Sequence, residues 1–140
     1  MDAGTITTTH VEGDRFIVSA RGHELVVDQP REIGGTDQGL TPTELFVASL
    51  SSCVAFFARR FLARRRLPEG QFHVATTFAL SDERPSRVAR IDVELVLPGA
   101  LHPSEEAALD RVVHGCTVQR TLEDQPEVRI HTRVAADAAA

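Results

Sequence analysis

The chain has 140 residues, 42% hydrophobic and 25% charged, with a formal net charge of -5. That length makes one domain, 1–140, with enough residues for a core, and the acidic balance removes nucleic acid as a default partner because phosphate binding begins with a basic face. All 15 basic residues are arginine and asparagine is absent, which excludes lysine Schiff-base chemistry, a P-loop lysine and an N-glycosylation acceptor.

Met1-Asp2-Ala3-Gly4-Thr5 lacks the basic and then apolar regions of a signal peptide. No apolar stretch approaches the ~20 residues that span a bilayer, so a cytoplasmic protein without a membrane partner is expected. Ile6, Thr8 and His10 alternate, as do Phe16 with Val18 and Leu25 with Val27, and glycine turns separate them. This pattern predicts an antiparallel meander. Pro30, Gly34, Gly35 and Gly39 then mark a loop.

Thr41-Pro42-Thr43-Glu44 announces a helix with a capping residue, a proline at the first position and a glutamate completing the capping box. The helix is expected from Pro42 to about Leu67, stopped by Pro68 and Gly70, and its first turns are apolar nearly all round. Such a helix is expected to be buried on all sides. Arg59, Arg60, Arg64, Arg65 and Arg66 at its far end suit the helix dipole; a solvated end is favoured over an acidic-partner site.

Phe72, Val74, Thr76, Phe78 and Leu80 predict one strand, and Ile91, Val93, Leu95 and Leu97 another, with a turn over Ser81–Ser86. A second helix is expected from Ser104 to His114, and a short helical segment from Cys116 to Glu123 after the break at Gly115. Val128, Ile130, Thr132 and Val134 predict a last strand, with the alanine-rich end frayed. The order gives a segregated α+β fold.

Two residues stand out chemically. Cys53 lies three turns into the apolar helix, where a buried, inert core thiol and a thiol activated by a distant cation are both open readings. Cys116 opens a helical turn, where unpaired N–H groups favour a thiolate. The cysteines and scattered histidines show no metal-ligand spacing, and no cofactor is implied. In a reducing compartment, a transient redox pair is a better reading than a permanent staple.

The run Glu32-Ile33-Gly34-Gly35-Thr36-Asp37-Gln38-Gly39-Leu40-Thr41-Pro42-Thr43-Glu44-Leu45-Phe46-Val47-Ala48-Ser49-Leu50-Ser51-Ser52-Cys53 resembles the signature of the OsmC/Ohr family, the osmotically inducible and organic hydroperoxide resistance proteins. Val113-His114-Gly115-Cys116-Thr117-Val118 resembles its second cysteine motif, with Thr117 where a proline often stands. The resemblance implies antiparallel sheets around a long buried central helix in an intertwined homodimer. It also implies a hydroperoxide substrate and a thiol or dithiol reductant. By analogy Cys53 attacks the peroxide and Cys116 resolves the sulfenic acid to a disulfide. Phe46, Phe56 and Phe57 would form an apolar collar for organic hydroperoxides, and core packing explains them equally well. Active members pair an arginine with a glutamate near the thiolate. Arg31 is the first choice for that arginine and Arg21 the second. In the hydroperoxide-resistance branch the glutamate directly follows the proline, where this chain has Thr43; Glu44, one residue on, matches a broader branch and also has the capping role. The alternative implied is a non-catalytic dimer that binds an apolar small molecule.

Overall fold

The computed structural model describes residues 4–136. The opening tripeptide and the last part of the alanine-rich end lie outside the described residues.

The alternating first third forms three antiparallel strands, β1 (Thr7–Glu12), β2 (Arg15–Ala20) and β3 (His23–Val27), in the order β1-β2-β3. Arg21 and Gly22, both at positive φ (52° and 81°), make the two-residue turn between β2 and β3. Positive φ at both central positions matches the twist of the flanking strands. The connection to the first helix crosses close to its own backbone. A Cβ on Gly35 would lie 1.9 Å from the Gln29 carbonyl oxygen, and one on Gly39 would lie 2.1 Å from that of Val26. Only glycine fits either position.

The helix α1 (Pro42–Arg64) begins with the capping box read from the sequence: Glu44 N–H donates to Thr41 Oγ1 at 3.1 Å, and Thr41 N–H to Glu44 Oε2 at 2.8 Å. It ends at Arg64, one turn short of Leu67, because Arg66 turns left-handed at φ 54° and Leu67 N–H closes back onto the Leu62 carbonyl at 3.0 Å. That closure satisfies end carbonyls which a longer helix would leave open.

Strands β4 (His73–Leu80) and β5 (Val88–Val96) form an antiparallel hairpin, followed by α2 (Pro103–His114) and α3 (Thr117–Glu123). α1 packs on β4, β5, α2 and α3, whereas β1, β2 and β3 pack chiefly on one another. Ala58, Phe61, Leu62, Ala108 and Leu109 make the main core cluster, joined by Phe72, Leu95 and Leu97.

Three expectations need correction. α1 is not buried on all sides: Val47, Leu50, Val54, Ala58, Phe61 and Leu62 form its packed face, while Phe56 remains 53% exposed and Phe46 is open too. Apolar residues all round promise burial only when neighbours exist on every side, and one chain supplies them on one side. Nor are apolar stretches all short, since α1 contains an 18-residue window of mean hydropathy 1.5, long and apolar enough by length and composition to cross a membrane. Its packed face makes it a core helix here; serines within the run had disguised its length. Finally, the strand expected over Val128–Val134 is not formed. The segment is irregular, with Ile130 89% exposed, because alternation becomes a strand only beside an edge that accepts its hydrogen bonds.

Candidate functional site

Cys53 sits on α1 where the packed face meets the open one, and it is half-buried. Leu50 and Val54, its neighbours on the packed side, close over Cys116, which is completely buried. Phe57, Val74, Ile91, Val113 and Val118 complete this apolar cluster. Both thiols are free, and Cys53 packs against the same cluster that encloses Cys116. Folding therefore joins two residues that lie far apart in sequence.

Cys116 does not open a helical turn as its first residue; it caps α3, its Sγ accepting the Gln119 N–H at 3.4 Å. Burial pushes its thiol up from the ordinary cysteine range, and the adjacent Cys53 adds to that rise. The N–H groups of Gln119 and Val118 pull the other way and lose. This corrects the expectation of a thiolate at Cys116. Desolvation of a sealed site outweighs two backbone donors.

The remaining candidates are spread out. Phe57 touches the thiol cluster, and Phe56 meets it edge-on with ring centroids 5.6 Å apart. Phe46, two turns before Cys53, borders an open hollow with Pro42, Thr43, Arg87 and Val88. Glu44 is occupied by the capping box. Arg31 lies in a 3-10 turn (Arg31–Ile33) and Arg21 in the β2–β3 turn, both exposed. The groups acting on the Cys116 thiol include no guanidinium. A cavity of about 570 Å³ lies between β5 and α2, bordered by Leu50, Val54, Ile91, Leu109 and Val113, and neither cysteine lines it.

Asp28 was missed by sequence reasoning. It is buried at the end of β3 and accepts from Gln29 N–H, Thr36 N–H, Thr36 Oγ1–H and Gln38 N–H. The Thr36 hydroxyl, foremost among these donors, lowers its pKa from 3.8 to about 2 against the opposing effect of burial. This carboxylate ties down the glycine-rich loop that carries Arg31 and leads into α1. The one signal in the sequence is an acid directly following an apolar strand and preceding a Gly/Thr-rich loop.

A search of curated proteins finds no match. Among solved structures, an osmotic stress induced and detoxification response protein from Psychrobacter arcticus 273-4 is similar, with TM-score 0.78 and 17% identity over 86% of this chain and 89% of that one. An OsmC-like protein from Mycoplasma pneumoniae gives TM-score 0.71 and 17% identity, covering 89% of each chain. An organic hydroperoxide resistance protein from Elizabethkingia anophelis gives TM-score 0.59 and 21% identity over 86% of this chain and 89% of that one. At such identities the likeness speaks for the fold. The OsmC-like protein family model matches residues 35–131, a span that includes α1, both strands of the hairpin, α2, α3 and both cysteines, and the chain belongs to that family.

Proposed function

We propose that this protein is a thiol-dependent peroxidase that reduces organic hydroperoxides. The observation that carries the reading is that a half-buried Cys53 and a sealed Cys116, both free, meet in one apolar cluster. In the first step the Cys53 thiolate attacks the distal peroxide oxygen; the O–O bond breaks, the alcohol leaves with a proton, and sulfenic acid remains. Cys116 then attacks that sulfur, releasing water and forming a disulfide. Two electrons from an external dithiol, or from two thiols, restore the pair, as a reducing cytoplasm would allow. A protonated, sheltered Cys116 suits the second step, because it stays unreacted until Cys53 is oxidised.

The working unit in this reading is a homodimer. The chain exposes 11118 Å², whereas a compact monomer of this size would expose roughly 7,000 Å². The open face of α1, the loosely attached meander and the exposed alternation of Val128, Ile130 and Val134 support a second copy as the missing cover. Arg31, with Arg21 as second choice, then acts on Cys53 across the subunit boundary. Phe46, Phe56 and Phe57 provide its apolar surroundings.

The test is to give the reduced protein one equivalent of cumene hydroperoxide and count thiols after denaturation. Both thiols should disappear within seconds and return with dithiothreitol. Retention of both, or full turnover by Cys53→Ser, sinks the proposal; sedimentation as a monomer at micromolar concentration removes the dimer. The cavity that neither cysteine lines, with its wall of Leu50, Val54, Ile91, Val93, Leu95 and Leu97, favours a second reading, a non-catalytic binder of apolar small molecules. Extraction of the purified protein separates the two: a co-purifying apolar molecule together with peroxide-inert thiols selects the binder.

A further inference from the structure

The arginines at the end of α1 do more than decorate a solvated helix end. Arg60, Arg64 and Arg65 meet Arg111 of α2 around a cavity of about 500 Å³ whose remaining walls are Phe57, Phe61, Ala108 and Val112. Helical spacing explains the convergence. Phe57 and Phe61, and likewise Arg60 and Arg64, stand four apart on α1, while Ala108, Arg111 and Val112 share one stripe of α2. Among the described residues none of these four guanidiniums has a carboxylate partner, although Arg59 next to them pairs with Glu69 at 3.3 Å.

Two of the four are held in place by aromatic rings. Arg60 lies over Phe56 at 5.5 Å and Arg65 over Phe61 at 4.9 Å. Stacking orders a guanidinium while leaving its in-plane N–H donors free. α2 also sorts charge: its Arg111 faces this cavity, whereas Glu106 and Asp110 face the cavity beside β5. In a chain of net charge -5, unpaired cations gathered on a concave apolar floor repel one another until an anion joins them. The carboxyl end of α1 carries partial negative charge, so recognition of an anion here has to come from the side chains.

We infer that the cleft between the end of α1 and α2 is a binding site for a small organic phosphate, its phosphoryl oxygens held by Arg60, Arg64, Arg65 and Arg111 and its apolar part resting on Phe57 and Phe61. Four forked cations match a dianionic phosphoryl group better than a single carboxylate. The volume falls within the range of small-molecule sites. Phe57 also belongs to the thiol cluster, so an occupant would rest one side chain away from Cys53 and Cys116. The inference stands on this geometry and is independent of the peroxidase reading.

Calorimetric titration of the full chain with phenyl phosphate, inorganic phosphate and benzoate in low-salt buffer tests it. Phenyl phosphate should saturate one site per chain and bind about tenfold more tightly than either of the others, since only it offers both charge and ring. Arg64→Gln and Arg111→Gln should each weaken it by about tenfold or more, the loss of a charged hydrogen bond, while Arg90→Gln on β5 leaves it unchanged. Absence of saturation by about 10 mM phenyl phosphate, or undiminished binding to a folded Arg111→Gln chain, overturns the site. Should that variant fail to fold, the salt dependence of the unaltered protein decides: weakening as chloride rises supports the site and indifference overturns it. Thiol counts after peroxide read the other proposal separately.

Discussion

The meander β1–β3 and the block around α1 obtain their order from different physics. In the block, Ala58 and Leu62 are fully buried and two apolar clusters run from the thiols to the end of α1. In the meander the strands pair residue by residue, Ile17 lying between Thr9 and Val26, yet only Val27 is buried. Backbone hydrogen bonds give a net of only about 0.5–1.5 kcal/mol each, so they shape a sheet without anchoring it. The meander is anchored at its end instead, by Asp28 and by two glycines that let the chain cross itself. Packing holds one region and a polar knot holds the other.

Substitutions can break that contrast or sharpen it. Leu62→Ala should remove roughly 2–5 kcal/mol, read as a shift of the urea midpoint, because it empties a closed core position. Gly39→Ala should cost on the order of 3 kcal/mol by the same measurement, since the atom its Cβ meets is backbone and cannot rotate away. Asp28 should show itself against pH. Its folded pKa of about 2 lies below 3.8, so its contribution is complete above about pH 4 and is lost as pH falls toward 2. Asp28→Asn should flatten that part of the stability–pH curve; an unchanged acid limb would show that the knot does not anchor the meander. Thr41→Ala should cost about 1 kcal/mol, the value of a helix cap. Leu25→Ala in the meander, where the residue is 39% exposed, should change stability by about 0.5 kcal/mol or less. A Leu25 effect as large as that of Leu62 would mean the meander is packed after all.

What the sequence made legible follows the same division. The start of α1 was readable because Thr41, Pro42 and Glu44 act within one turn of each other. The meander was readable from alternation and glycine turns. The Asp28 knot was not, since its donors Thr36 and Gln38 lie on the far side of a loop with no periodic pattern. The approach of Cys53 to Cys116 is a contact between distant segments, which spacing alone cannot reveal. The thiolate expected at Cys116 failed for a related reason: a local donor was visible in sequence, while the apolar residues that close over it come from α1, β4 and β5. Val128–Val134 carries a strand pattern whose fulfilment depends on an edge the chain does not offer it.

The closed position of Cys116 also has a practical consequence. The chain contains no tryptophan or tyrosine, so it lacks the usual intrinsic fluorescence signal of unfolding. A sulfhydryl dye arriving from solvent reaches this sulfur only once the chain has opened, and its second equivalent of labelling then reports the opening directly. The protein carries its own unfolding gauge, one that needs no added chromophore beyond the dye.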